Sequence, residues 1–223
     1  MRPIGRKPSL RTMVRIEQKE SVDLPSGYAS SNYRKYQSNN PYVRLLISRF
    51  LRRITAAVQS QSPRAILEIG CGEGLVLTHL RSSGVQAPCV GVDRSRAAVA
   101  IARQINPGIS FSCADVYSLP FSSRCFELVM ALELLEHLDK PETALREICR
   151  VSKRCVILSV PNEPLFSLGN LARGKHIHRF GRDPEHVQFW RQATFSGLIR
   201  PYFKELVDIS SFPWTVYIGK EPI

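Results

Sequence analysis

Hydrophobic positions along this chain recur at two spacings, and the change from one to the other marks its organisation. Between Pro41 and residue 59, Val43, Leu46, Ile47, Phe50, Ile54, Ala57 and Val58 fall at helical spacing, and Arg44, Arg49, Arg52 and Arg53 lie mostly off that stripe. Pro41 suits the first turn, where no backbone N–H is required. An amphipathic helix over 41–59 is predicted. From residue 64, short apolar runs alternate with helical stretches. Strands are expected near 64–69, 88–93, 109–113, 125–131 and 154–160, with helices near 73–83, 95–105 and 141–151. A helix near 192–200 and strands near 204–210 and 214–219 close the chain. Strand and helix in alternation imply an α/β fold: a doubly wound, mostly parallel sheet covered on both faces. No internal repeat is visible.

The 223 residues, 43% of them hydrophobic, suffice for one sizeable core and not for two ordinary domains. Residues 41–223 are read as that domain, with the helix over 41–59 as its N-terminal extension. Residues 1–40, rich in Arg, Ser, Asn and Pro, are read as a basic flexible arm. The charge supports this division. Of the net +12, residues 1–64 carry +10 and the remainder only +2. Such an arm can meet an anionic surface, either membrane or RNA, or simply remain solvated. No apolar run approaches the roughly 20 residues of a bilayer span. MRPIGRKPSL lacks the apolar stretch of a secretory signal. A cytoplasmic location is expected, with an organellar transit peptide and a start at Met13 both left open. The six cysteines form no CxxC pair. Cys89, Cys113, Cys125 and Cys155, in or beside apolar runs, are expected to be buried free thiols.

The segment ILEIGCGEGLVL, residues 66–77, carries the most chemistry. A β-branched strand runs into Gly70, Gly72 and Gly74, and a helix follows at once. Glycines serve where backbone must turn sharply and let a ligand come close, and the helix N-terminus offers free N–H groups. Asp93 ends the second predicted strand and Asp115 follows the third. Both stand at the edge of the sheet where such folds bind ligands, and Asp93 is placed to accept hydrogen bonds from ribose hydroxyls. The glycine spacing is GxGxG, not the GxGxxG of dinucleotide sites. Glu68, just before the turn, would repel a pyrophosphate and attract an ammonium. An amino-acid-bearing nucleoside is the expected ligand, and an NAD-dependent oxidoreductase is disfavoured.

In these residues the chain resembles the class I S-adenosylmethionine-dependent methyltransferases. LEIGCGEG looks like their first motif, VGVD their second, CADVYSLPF their third and FELVMALELLEHL their fourth-strand region, over roughly residues 41–220. The resemblance implies a Rossmann-like fold with a seven-stranded, mostly parallel sheet. It implies S-adenosyl-L-methionine as cofactor, with Glu68, Gly70, Gly72 and Gly74 around its methionine part. Asp93 would hold the ribose, and Asp115 with Val116 the adenine. Arg94 stands where the family often stacks an apolar residue on adenine. Cys71 is common in this turn and is not read as a nucleophile.

The acceptor site should follow the fourth and fifth strands. If ALELLEHL is helical there, Glu133, Glu136 and His137 share one face. Two carboxylates and an imidazole can hold a divalent ion, and His186 in PEHVQFW can add a further ligand or, with His137, act as a catalytic base. The ExxEH pattern resembles two groups of relatives. One is the ubiquinone-pathway O-methyltransferases, for which a magnesium-assisted site is known. The other is the small-RNA 3′-terminal ribose 2′-O-methyltransferases. His176, His178 and His186, with Arg173, Lys175, Arg179 and Arg182, mark a loop expected to wall the acceptor. Tyr33 and Tyr36 stand where relatives fold a segment over the cofactor. The expected function is methyl transfer to oxygen or nitrogen of a small or lipid-like metabolite. The alternatives are a metal-assisted RNA ribose 2′-O-methyltransferase and a non-catalytic nucleoside-binding module.

Overall fold

The computed structural model describes residues 36, 38–172, 174, 178, 180 and 183–223. Most of the basic arm, Tyr33, Arg173, Lys175, His176, Arg179 and Arg182 therefore lie outside the described residues. By contacts the chain divides into residues 1–49 and 50–223. Helix α1, Pro41–Gln61, is the element the periodicity predicted. Its second half buries Phe50, Ile54, Ala57 and Val58.

The remaining elements alternate as expected: β1 Ile66–Ile69, α2 Leu75–Ser82, β2 Cys89–Asp93, α3 Arg96–Ile105, β3 Ser110–Cys113, β4 Phe126–Leu132, α4 Pro141–Val151 and β5 Ser152–Pro161. Helix α5, Leu165–Ala172, was not predicted, and α6, Gln192–Ile199, leads into β6 Phe203–Asp208 and β7 Trp214–Pro222. The seven strands form one sheet in the order β3-β2-β1-β4-β5-β7-β6. Strands β1 to β5 pair in parallel, and β7 runs antiparallel to both β5 and β6. The strand order reverses between β1 and β4. Ligands of open α/β sheets bind beside such a switch point, outside the carboxyl ends of the strands.

The core explains the composition of each element. Every residue of β1 is buried, because helices cover the sheet on both faces. Helix α3 turns Ala98, Val99, Ile101 and Ala102 inward and opens on Ser95, whose hydroxyl accepts from the Ala98 N–H at 3.2 Å. Helix α4 begins at Pro141 and buries Ala144, Leu145, Ile148 and Val151. Trp214 at the start of β7 packs on Phe50, ring centroids 4.8 Å apart.

Two expectations are corrected. Cys113 and Cys125 are exposed; Cys71, Cys89, Cys149 and Cys155 are buried, and all six are free. Strand β3 is an edge strand in which only Phe111 is buried, and Cys113 at its very end is left exposed. Residues 133–137 are also not one helical face. Strand β4 ends at Leu132, Glu133 takes a left-handed φ of 54°, and only Leu135–His137 makes a single 3₁₀ turn.

Candidate active site

The glycine turn sits at the carboxyl edge of the two central strands. Gly70 and Cys71 both donate backbone N–H bonds to the Val92 carbonyl, at 2.8 and 3.0 Å, which folds the chain back across β2. Gly70, Gly72 and Gly74 have φ of +73°, +52° and +74°, a region that side chains with a Cβ rarely occupy. At Gly74 there is a second reason for glycine: a Cβ would lie 2.6 Å from Cζ of Phe111. Gly74 also opens α2 with no side-chain cap, leaving that helix start available to an anionic group.

Three carboxylates gather on this turn. Glu68 on β1 is 2% exposed, and its Oε2 has no hydrogen-bond partner among the described residues. Burial first, and then the nearby Asp93 charge, push its carboxyl up to about 8. Glu73, within the turn itself, is also buried. Asp93 braces the turn: Oδ2 accepts from the Gly72 N–H at 2.9 Å and Oδ1 from the Ser95 N–H at 2.8 Å. Each of its oxygens keeps a second lone pair for a ligand. The Ala114 N–H donates to the Asp93 carbonyl at 3.1 Å, which brings the end of β3 against the end of β2. Asp115 is one residue further, exposed, and accepts from the Tyr117 N–H at 2.9 Å; Val116 is buried. Arg94 is exposed next to Asp93. Cys71 is buried, and burial, Glu68 and Asp93 push its thiol far up. A thiol held in that state is no nucleophile, in keeping with its reading from sequence.

At the exit of β4 the predicted ligand set changes membership. Glu136, His137 and His186 each offer one ligand atom within 4.8 Å of the others. Glu133 is not among them. Its Oε1 accepts from the Ser159 hydroxyl at 3.2 Å and its Oε2 from Trp214 Nε1–H at 2.6 Å. Without a helix at 133–137, the left-handed backbone of Glu133 turns its side chain toward β5 and β7. Glu136 is 1% exposed, and its carbonyl accepts from the N–H groups of Val187 and Gln188 at 2.9 and 3.0 Å. Gln188 Nε2 adds a bond to the Leu138 carbonyl at 3.2 Å. These bonds clip the 183–188 segment onto the 3₁₀ turn and bring His186 within 4.9 Å of His137, ring to ring. His137 Nδ1 lies 2.9 Å from the Glu185 carbonyl oxygen, which can only accept. In the neutral ring Nδ1 therefore carries the proton, which leaves the Nε2 lone pair as the one that can act as base or ligand.

Sequence reasoning missed Trp214, whose indole fixes Glu133, and Glu163, the buried acid just beyond β5. The rule that flagged acids after the first three strands would have flagged Glu163 after the fifth.

The methyltransferase domain family model matches residues 67–159, from β1 into β5. Ajmaline N-methyltransferase of Rauvolfia serpentina is 30% identical over 163 residues, covering 68% of this chain and 56% of that one. Ubiquinone biosynthesis O-methyltransferase of Coxiella burnetii is 31% identical over 105 residues, covering 45% and 41%. The chain spans between 34% and 56% of the length of such curated relatives. Among solved structures, magnesium protoporphyrin IX methyltransferase from Synechocystis PCC 6803, with bound S-adenosylhomocysteine, superposes with a TM-score of 0.65 at 16% identity. It covers 86% of this chain and 95% of that one, a likeness of fold. With the sheet order and the glycine turn in agreement with the domain match, residues 67–159 are a methyltransferase domain, in a chain with the fold of the class I S-adenosylmethionine-dependent methyltransferases.

Proposed function

We propose that the protein transfers the methyl group of S-adenosylmethionine to an oxygen or nitrogen of a small or lipid-like metabolite. The observation that carries this reading is the carboxylate-lined glycine turn. Glu68, buried with an unpartnered oxygen, suits the cofactor's ammonium, and the uncapped start of α2 at Gly74 suits its carboxylate. Gly70 and Gly72 keep side chains out of the methionine path. Asp93 would accept from the ribose hydroxyls, and Asp115 with Val116 would hold the adenine. The names of the relatives, an N-methyltransferase and an O-methyltransferase among them, support both acceptor atoms.

The cofactor supplies a methyl group already activated on a sulfonium. The residues must align an acceptor in line with the sulfur–carbon bond, exclude water and take up a proton. With the cofactor bound, attack by the acceptor's lone pair on the methyl carbon would displace the sulfur, which would keep the electrons of the broken bond. His137 Nε2 receives the acceptor's proton. Its Nδ1–H bond to Glu185 fixes the ring for that role, and His186 stands beside it. Glu136, His137 and His186 also fit a divalent ion, which would strengthen a hydroxyl acceptor as a nucleophile. Two imidazoles in the set suit a transition metal, whereas Mg²⁺ favours oxygen ligands, so the magnesium expectation is not carried forward.

Calorimetric titration with S-adenosylhomocysteine, followed by methyl-labelled cofactor in fractionated cell extract, tests this reading. Saturable binding and label in a small-molecule or lipid fraction are expected. His137→Ala should lower kcat by about 10²–10⁴-fold with cofactor affinity unchanged. Absence of S-adenosylhomocysteine binding, or label confined to ribonuclease-sensitive material, would overturn it.

A further inference from the structure

Beyond β5 lies a second polar feature that the cofactor site does not use. Glu163 is 9% exposed and Ser167, in the first turn of α5, is 7% exposed. Glu163 Oε2 accepts from the Ser167 N–H at 3.3 Å, so one oxygen caps the helix. Capping leaves two atoms unexplained. Glu163 Oε1 and Ser167 Oγ are both shut off from solvent with no hydrogen-bond partner among the described residues. Buried polar groups of this kind are costly and are normally satisfied by protein, water or ligand.

The surroundings indicate what satisfies them. The Glu163 N–H donates to the Trp190 carbonyl at 3.0 Å, and Phe166 of α5 lies 5.8 Å from the His186 ring. The orphaned pair thus shares one small assembly with the histidines at the β4 exit. Along the carboxyl edge, the β1–β3 ends form the glycine-turn site, the β4 exit holds the imidazoles, and the adjacent β5 exit presents Glu163. Around it the surface is apolar. Leu165 and Leu168 on α5, and Val187 and Phe189 on the segment it touches, are exposed. A carboxylate oxygen accepts hydrogen bonds and attracts cations, and it repels another acid.

We propose that Glu163 and Ser167 form the acceptor-recognition subsite, taking a hydrogen-bond-donating head, ammonium or hydroxyl, carried on an apolar body. This rests on the methyl-transfer reading and narrows its acceptor class. Because both atoms are closed to solvent, α5 moves aside to admit the head and returns over it, its exposed leucines meeting the apolar body.

The test is calorimetric titration of octylamine, octan-1-ol and octanoate into the full chain, with and without S-adenosylhomocysteine. The amine and the alcohol are expected to bind at least tenfold tighter than the acid. Glu163→Gln keeps an oxygen to cap Ser167 and should lose at least tenfold in octylamine affinity while octanol changes little. Glu163→Leu should weaken both, and neither variant should change S-adenosylhomocysteine affinity. Equal binding of the three probes, binding of none, or an unaltered ranking in Glu163→Gln overturns the subsite. Failure of the wild-type chain to bind S-adenosylhomocysteine, with the amine preference intact, instead overturns the cofactor reading alone.

Discussion

Glu68 holds its proton to about 8, far above the ordinary 4.5, because burial and Asp93 both disfavour its charge. Between those values the native state keeps a proton that the unfolded chain has lost. The contribution of this one group to the stability of the ligand-free protein therefore falls as pH rises from about 4.5 toward 8, and levels off above. If the cofactor's ammonium pairs with this carboxylate, binding expels the proton. S-adenosylhomocysteine should then bind more tightly at pH 7.5 than at pH 6, by up to about tenfold per pH unit. Glu68→Gln should flatten that dependence in calorimetry at the two pH values. Gly74 is constrained twice, by its positive φ and by the Phe111 ring. Gly74→Ala should cost about 1–3 kcal/mol in urea unfolding and lower S-adenosylhomocysteine affinity, because relief of the clash must move the turn. The glycine spacing and the first acids were legible in sequence, since the glycine turn is built from contiguous residues. The Phe111 contact was not, because it depends on β3 packing beside β2.

At the scale of elements, the decisive event is where β4 stops. A helix over 133–137 would place Glu133 with Glu136 and His137; a strand end followed by one 3₁₀ turn separates them. Glu133→Ala should destabilise by about 1–3 kcal/mol, because the Trp214 indole and the Ser159 hydroxyl lose this acceptor. It should leave the affinity for Zn²⁺ or Mn²⁺ unchanged, whereas Glu136→Ala should abolish it. Calorimetric titration of each metal into both variants separates these outcomes. Helix α5 escaped prediction for a related reason. Its first turn is capped by the Glu163 carboxylate, which accepts from the Ser167 N–H, a side-chain contact that no hydrophobic period records. The long buried strands were legible because their apolar runs are continuous.

For the molecule as a whole, charge is segregated: residues 1–64 hold +10 of the net +12. No described helix is long and apolar enough to cross a membrane. We propose that the basic arm meets an anionic lipid surface. Co-sedimentation with phosphatidylserine vesicles should be strong at 50 mM salt, decline at 300 mM, and be lost on removal of residues 1–35 with S-adenosylhomocysteine affinity kept. Vesicle binding equal in the shortened chain would refute it.

The sequence by itself determined the alternation of strand and helix, the glycine turn and the acids after the first three strands. Hydrophobic period and glycine conformation act over a few neighbouring residues and so are written locally. Tertiary structure alone decided that Glu133 belongs to Ser159 and Trp214, 26 and 81 residues away, and that His186 meets His137 across 49 residues. Those partners are chosen by how the sheet edge closes. The distances that select one carboxylate as a brace and another as a ligand exist only once the strands are in register.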